Sequence, residues 1–188
     1  MQRLSSRLDG STEKKRLPPA GGVAEKKPRG TREPPPCRQS FACFVPVTPR
    51  WNDIDVFGHV NNAEFYAFFD TAVLSFLHKA GAIDGARGPH AMLVAESGAR
   101  FHREVLFDDR LLVGLAVARL GRSSVHYRLG AFRNDEDRAA VDGRMVHVLT
   151  DRQTRRPVPI PERIRAEFDA IHLGDGTDSP AGQREEKA

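Results

Sequence analysis

Long apolar runs are missing from this sequence: no uninterrupted apolar stretch approaches the roughly 20 residues that a helix needs to cross a bilayer, so a transmembrane helix is excluded. A secretory signal is missing as well, because the N-terminus has neither the apolar core nor the small-residue cleavage site of one, and this points to the cytoplasm. Arg3, Ser5, Ser6 and Arg7 suit an organellar transit peptide, but Asp9, Glu13 and Glu25 are acidic residues that such peptides avoid. Cysteine is scarce. Cys37 and Cys43 lack CxxC spacing, so neither a disulfide nor a zinc site is expected. Metal-ligand spacing is also absent among His78, His90, His102, His126, His147 and His172, which read as surface or core residues, and no metal is expected.

What is present is one domain's worth of chain, 188 residues with ordinary apolar content. The net charge of +4 is unevenly spread: residues 1–40 carry ten Lys or Arg against four acidic residues, a net of +6, which leaves −2 for residues 41–188. Those first 40 residues also hold six of the thirteen prolines and too few large apolar residues to offset the entropy of ordering a backbone, so a disordered basic tail is expected. Nucleic-acid binding is not expected, since the basic residues are not interleaved with aromatics or set in a helical stripe. Residues 174–188 repeat the polar, Gly- and Pro-containing character and read as a second tail. The folded domain is therefore expected over 41–173.

Within it, Phe41 to Trp51 is aromatic- and Val-rich but broken by Pro46 and Pro49, which suits an edge or bulged strand. A loop bearing Gly and Asp follows, and then Asn61 to Ala80, closed by Gly81, gives the strongest helix signal. That helix is apolar almost all round, as expected of one buried on most of its faces. Four strand-like runs follow at Met92 to Val105, Leu111 to Gly121, Ser124 to Arg133 and Ala139 to Thr150. Short polar turns between them predict an antiparallel meander or a close variant. A short helix is expected from Glu162 to Ile171, just after Pro161. One sheet curled on one helix leaves an edge strand and an open sheet face, and a second copy of the chain is expected to cover them.

The most informative stretch is Arg50-Trp51-Asn52-Asp53-Ile54-Asp55-Val56-Phe57-Gly58-His59-Val60-Asn61-Asn62-Ala63-Glu64-Phe65-Tyr66-Ala67-Phe68-Phe69-Asp70. It resembles the signature of the 4-hydroxybenzoyl-CoA thioesterase type of hotdog protein, in its acyl-CoA thioesterase branch. Arg122-Ser123-Ser124 and Arg156-Pro157-Val158-Pro159-Ile160-Pro161 are similar to that family too, and the likeness covers about 41–166. The resemblance implies an α+β hotdog fold, a five-stranded antiparallel sheet wrapped around one long buried helix. It also implies hydrolysis of an acyl-CoA thioester to free acid and CoA by a homodimer or homotetramer. CoA would then be part of the substrate, with no separate cofactor. The departures are at Asn61-Asn62, where the founding branch has aromatic residues, and at Phe65, where it has Tyr; they imply a different, for example aliphatic, acyl group.

By the same resemblance Asp55 is the catalytic carboxylate, as nucleophile or general base, and the helix N-terminus around Asn61 to Ala63, Asn62 included, polarises the thioester carbonyl. The chemistry suits those groups, because unpaired N–H groups of a first helical turn stabilise a developing oxyanion. Read from composition alone, Asp55 is an ordinary Asx-turn residue. Asp53 reads as the residue that holds the loop and Asp55 in place. Asn61 reads as the helix N-cap, and Glu64, three residues on, as its capping-box partner or a second-choice general base. His59 either orients Asp55 and contacts the thioester or is structural. Asp70, mid-helix among aromatics, should have a partner. Arg122, Ser123 and Ser124 suit the phosphates of CoA, supplied in the family from a neighbouring subunit. Two alternatives stay open: a hotdog dehydratase or hydratase using His59 and Glu64, and a non-catalytic acyl-CoA-binding sensor.

Overall fold

The period-two runs become strands and the long apolar segment becomes a helix. The computed structural model describes residues 33–82 and 88–173. Most of the two expected tails, 1–32 and 174–188, lies outside the described residues. In chain order the elements are β1 (Cys43–Val47), α1 (Glu64–Lys79), β2 (His90–Phe101), β3 (Leu111–Leu120), β4 (Ser124–Arg133), β5 (Val141–Asp151) and α2 (Glu162–Asp169), with short 3-10 turns at Arg38–Ser40 and Trp51–Asp53.

All five strands form one antiparallel sheet in the order β1-β3-β4-β5-β2. The expected meander is therefore confined to β3, β4 and β5. β2 does not sit beside β3, its neighbour in sequence; it pairs with β5 at the far edge. The reason is α1, which lies between β1 and β2 in sequence and packs across the sheet, carrying the chain from one edge to the other.

Helix α1 buries Phe65, Phe68, Phe69, Ala72, Val73, Phe76 and Leu77 against the sheet, each Phe contributing about 1.5–3 kcal/mol of apolar transfer. Gly143 on β5 makes this approach possible, since a Cβ there would stand 2.5 Å from Phe69 Cε2. The helix is not covered on most of its faces as expected. Tyr66 and Leu74 are 39% and 41% exposed, because five strands of one chain cover only one side of a helix. Its end is as expected: Gly81 takes φ +61°, and the Gly81 and Ala82 N–H groups donate to the His78 and Leu77 carbonyls at 3.1 and 2.9 Å, a Schellman closure.

On the other sheet face Phe41, Ala116, Phe132 and Ala139 form a second apolar cluster. Residues 34–40, within the stretch read as tail, lie along the β4–β5 hairpin: the Arg38 side chain donates to the Glu136 and Asn134 carbonyls at 2.7 and 2.6 Å and covers the Phe132 ring. In the main core, Tyr127 and His147 pack edge to face with centroids 5.5 Å apart, and neither the Tyr127 hydroxyl nor either His147 ring nitrogen has a hydrogen-bond partner among the described residues.

Candidate active site

The Asp55 loop is a pinched excursion between the turn at Trp51–Asp53 and α1. Its base is fixed by three backbone hydrogen bonds: Asn61 N–H to the Asp53 carbonyl at 2.8 Å, Val60 N–H to the Val105 carbonyl at 2.8 Å and Asp55 N–H to the His59 carbonyl at 3.0 Å. Asp53 anchors it with its side chain, only 1% exposed. The carboxylate accepts from Arg50 N–H at 2.6 Å, Nε at 3.0 Å and the terminal guanidinium nitrogen at 2.7 Å. Burial pushes the Asp53 carboxyl up, but the Arg50 hydrogen bonds and charge, with a contact to Glu64, outweigh it and hold the group below the ordinary carboxylate range.

The two oxygens of Asp55 have different surroundings. One oxygen, Oδ1, accepts the Phe57 N–H at 2.8 Å and makes the Asx turn. The other, Oδ2, lies 3.6 Å from His59 Nδ1, and both side chains are partly buried. The His59 ring stacks on Phe57, centroids 5.9 Å apart. Outward, the loop presents Val56, 94% exposed, and Phe57, 80% exposed.

At the start of α1 the Asn61 side chain accepts the Ala63 N–H at 3.0 Å and its carbonyl accepts the Glu64 N–H, so Asn61 caps the first turn although regular helix begins at Glu64. The capping box does not form. The Asn61 N–H is taken by the Asp53 carbonyl, and the Glu64 carboxylate is drawn to Arg50, 3.6 Å away. The Asn62 N–H finds no acceptor among the described residues, and Asn62 opens onto a cleft of ≈ 220 Å³.

That cleft runs between the first turn of α1 and the segment leaving β2, with His59, Asn62 and Phe65 on one side and Phe101 to Val105 on the other. Asp55 does not line the cleft; it reaches it only through His59, whose Nδ1 lies 3.6 Å from Asp55 Oδ2. Glu64 is likewise absent from its walls. Sequence reasoning missed the far wall. There His102 donates its N–H to the Ala140 carbonyl at 2.9 Å, its ring Nε2 contacts the Asp142 carboxylate, and Arg100 closes on that carboxylate at 2.9 Å. No motif announces this trio; the register pairing Arg100 with Asp142 creates it.

Arg122, Ser123 and Ser124 are not brought to the cleft within one chain. Ser124 pairs with Val148, near the end of β5, whereas the cleft lies by its start at Val141, roughly 20 Å of strand away. Asp70, expected to have a partner, forms no hydrogen bond or ion pair among the described residues; its charge faces the buried His147.

Residues 49–168 match the family profile described as the thioesterase-like superfamily. The chain belongs to the thioesterase-like superfamily. Its fold is the hotdog α+β fold, and its enzyme class is the expected one, an acyl-CoA thioesterase hydrolysing a thioester bond. The crystal structure of the PA5185 protein from Pseudomonas aeruginosa is 42% identical, with a TM-score of 0.73 over 75% of this chain and 99% of that one. A thioesterase from Thermus thermophilus, solved in complex with coenzyme A and Zn, is 31% identical, with a TM-score of 0.59 over 71% of this chain and 96% of that one. The uncharacterized protein YsmA of Bacillus subtilis is 26% identical over 123 residues, 64% of this thioesterase chain and 81% of that protein. No helix among the described residues is long and apolar enough to cross a membrane.

Proposed function

We propose that this thioesterase hydrolyses a non-aromatic acyl-CoA in the cytoplasm, as a homodimer or higher homo-oligomer, with Asp55 as the catalytic carboxylate. The observation that carries the reading is an unpartnered Asn62 N–H opening onto the cleft at the start of α1, with His59 of the same cleft 3.6 Å from the Asp55 Oδ2 that the loop's turn leaves uncommitted. A carbonyl oxygen held at that N–H gains stabilisation as it becomes an oxyanion. Asp55 Oδ2 either attacks the carbonyl carbon, giving an anhydride that water then opens, or takes the proton of an attacking water. In either route the C–S bond breaks with its electron pair on sulfur, and CoA thiolate leaves without need of a strong acid. His59 orients Asp55.

A second copy completes this reading. β2 is an edge strand whose middle is exposed, with Val94 at 49%, and edges of this length invite pairing. Antiparallel pairing of two β2 strands about a two-fold axis would set the Arg122 end of one sheet beside the Asp55 cleft of the other, where Arg122, Ser123 and Ser124 meet the CoA phosphates. The binding of coenzyme A by the Thermus relative supports the choice of carrier.

The test is thiol release from a panel of acyl-CoA esters varied in chain length and aromaticity. Wild type should hydrolyse some of them, and Asp55→Asn should lose about 10²–10⁴-fold in kcat while still binding CoA. A variant as active as wild type would remove Asp55 from the chemistry.

A further inference from the structure

The wall of the cleft that leaves β2 has no sheet ladder to hold it. β2 ends at Phe101, and residues 102–105 run on without regular structure while lining the cleft. Their backbone is anchored at three places. The His102 and Arg103 N–H groups share the Ala140 carbonyl at 2.9 and 3.1 Å, and the Val105 carbonyl accepts the Val60 N–H at 2.8 Å. Between these, the Glu104 carbonyl accepts from Arg133 Nη1 at 2.9 Å. Glu136, at the β4–β5 turn, steers that donor: one carboxylate oxygen takes Arg133 Nε at 2.6 Å, and the other takes Arg103 Nη1 at 2.9 Å. Glu136 thus grips the wall twice, directly through the Arg103 side chain and through Arg133 onto the Glu104 backbone.

Glu136 is held in turn by the segment that precedes β1. The Arg38 side chain donates to the Glu136 carbonyl, the Arg38 N–H donates to the Asp137 carbonyl at 2.9 Å, and the Ala139 N–H returns to the Pro36 carbonyl at 3.0 Å. Three residues on, Phe41 pins this strap to the sheet. Gly114 of β3 and Gly130 of β4 stand opposite each other, and a Cβ on either would meet the Phe41 ring, at 2.7 and 2.9 Å. Glycine weakens the interior of a strand, so the pair is accounted for by the ring it admits. The strap lies N-terminal to residues 49–168, the part that matches the superfamily profile. The ion pairs on Glu136 are a quarter to half exposed, and pairs of that kind add little to global stability. What they fix is position.

Building on the acyl-CoA reading above, we infer that the Arg38 strap, Glu136 and Arg133 form a specificity clamp: they hold residues 102–105 at a set distance from the first turn of α1, so that the cleft admits straight acyl chains and rejects chains branched beside the carbonyl. Arg38 and Glu136 line none of the cleft and are positioning residues. The cleft of ≈ 220 Å³ is smaller than the roughly 300–1,000 Å³ of pockets that enclose drug-sized ligands. In so small a space a single methyl group decides fit, provided that the wall does not yield.

Calorimetric titration of the full chain with non-hydrolysable thioether analogues of a straight and an α-branched acyl-CoA, equal in carbon number, reads the clamp without turnover. Wild type should favour the straight analogue by about tenfold or more. Glu136→Gln, which turns an NH₂ towards an arginine, and Arg38→Ala should each lose most of that preference with a Tm close to that of wild type. The double variant should lose no more than Glu136→Gln alone, because both act through one hub. With the corresponding esters, both variants should raise KM for the straight one and leave kcat nearly unchanged, since the Asn62 N–H and the Asp55 loop belong to the opposite side; a general structural defect would lower kcat as well. Arg133→Lys, which keeps the charge on Glu136 but cannot also reach the Glu104 carbonyl, gives an independent reading in the same direction should either variant fail to fold. Folded variants that keep the wild-type preference, or a wild type that binds both analogues alike or neither, overturn the clamp. Failure of every ester to release thiol, with a thioether preference that Glu136→Gln abolishes, would instead sink the hydrolytic reading and leave the clamp standing.

Discussion

Asp53→Asn should both unfold the protein more easily and reduce its activity, because one buried carboxylate holds the loop on which Asp55 stands. The carboxylate takes three donors from Arg50 at 2.6–3.0 Å. An amide keeps one acceptor, turns an NH₂ towards a donor and loses the charge. Hydrogen bonds to charged groups are worth about 1.5–3 kcal/mol each, and cutting a fully buried ion pair costs about 3–5. The Arg50 side chain is 71% exposed and stays hydrated without its partner, so the loss should be about 2–3 kcal/mol. pH provides the control. The Asp53 carboxyl is held below its ordinary value of 3.8, so its contribution is complete above that value and is lost as pH falls through the lowered one. Denaturant melts at pH 7 should therefore separate wild type from variant by the full amount, and melts below pH 3.8 by progressively less. A variant within about 0.5 kcal/mol of wild type at pH 7, or a gap that persists unchanged into acid, would refute this account of the loop.

Tyr127→Phe, usually a destabilising change, should here raise stability by about 1 kcal/mol in a thermal melt, since it deletes a buried hydroxyl with no partner; a loss would mean that the hydroxyl is satisfied. Burial pushes the neighbouring His147 imidazole below its ordinary 6.5, against the pull of the Asp70 charge. The unfolded chain then binds the proton more readily, so stability should decline as pH falls below about 6.5, and His147→Phe should flatten that part of the profile. Gly143→Ala should cost about 1–3 kcal/mol in denaturant melts, because its Cβ would strike the buried Phe69 ring and α1 would have to lift; a neutral result would show that the ring can yield. Val94→Lys should turn a dimer into monomers in light scattering and lower thiol release with it, and a dimer that survives the charge would move the interface away from β2.

The strands β3, β4 and β5, both helices and the Gly81 stop could be read from the sequence because their signals are local: period-two burial, a cap, a left-handed glycine. The local geometry from Asp53 to Asn62 was equally legible, since the Asx turn at Asp55 and the Asn61 cap are made by residues two apart in sequence. Four things were not. The partner of β2 depended on where α1 carried the chain; the exposed face of α1 depended on how much sheet one chain can supply; and Glu64 depended on Arg50 winning it from the cap. The far wall of the cleft depended on register, which sets Arg100 opposite Asp142 and draws His102 to it across 40 residues. Such pairs come from packing between segments distant in sequence, and no residue pattern within either segment encodes them.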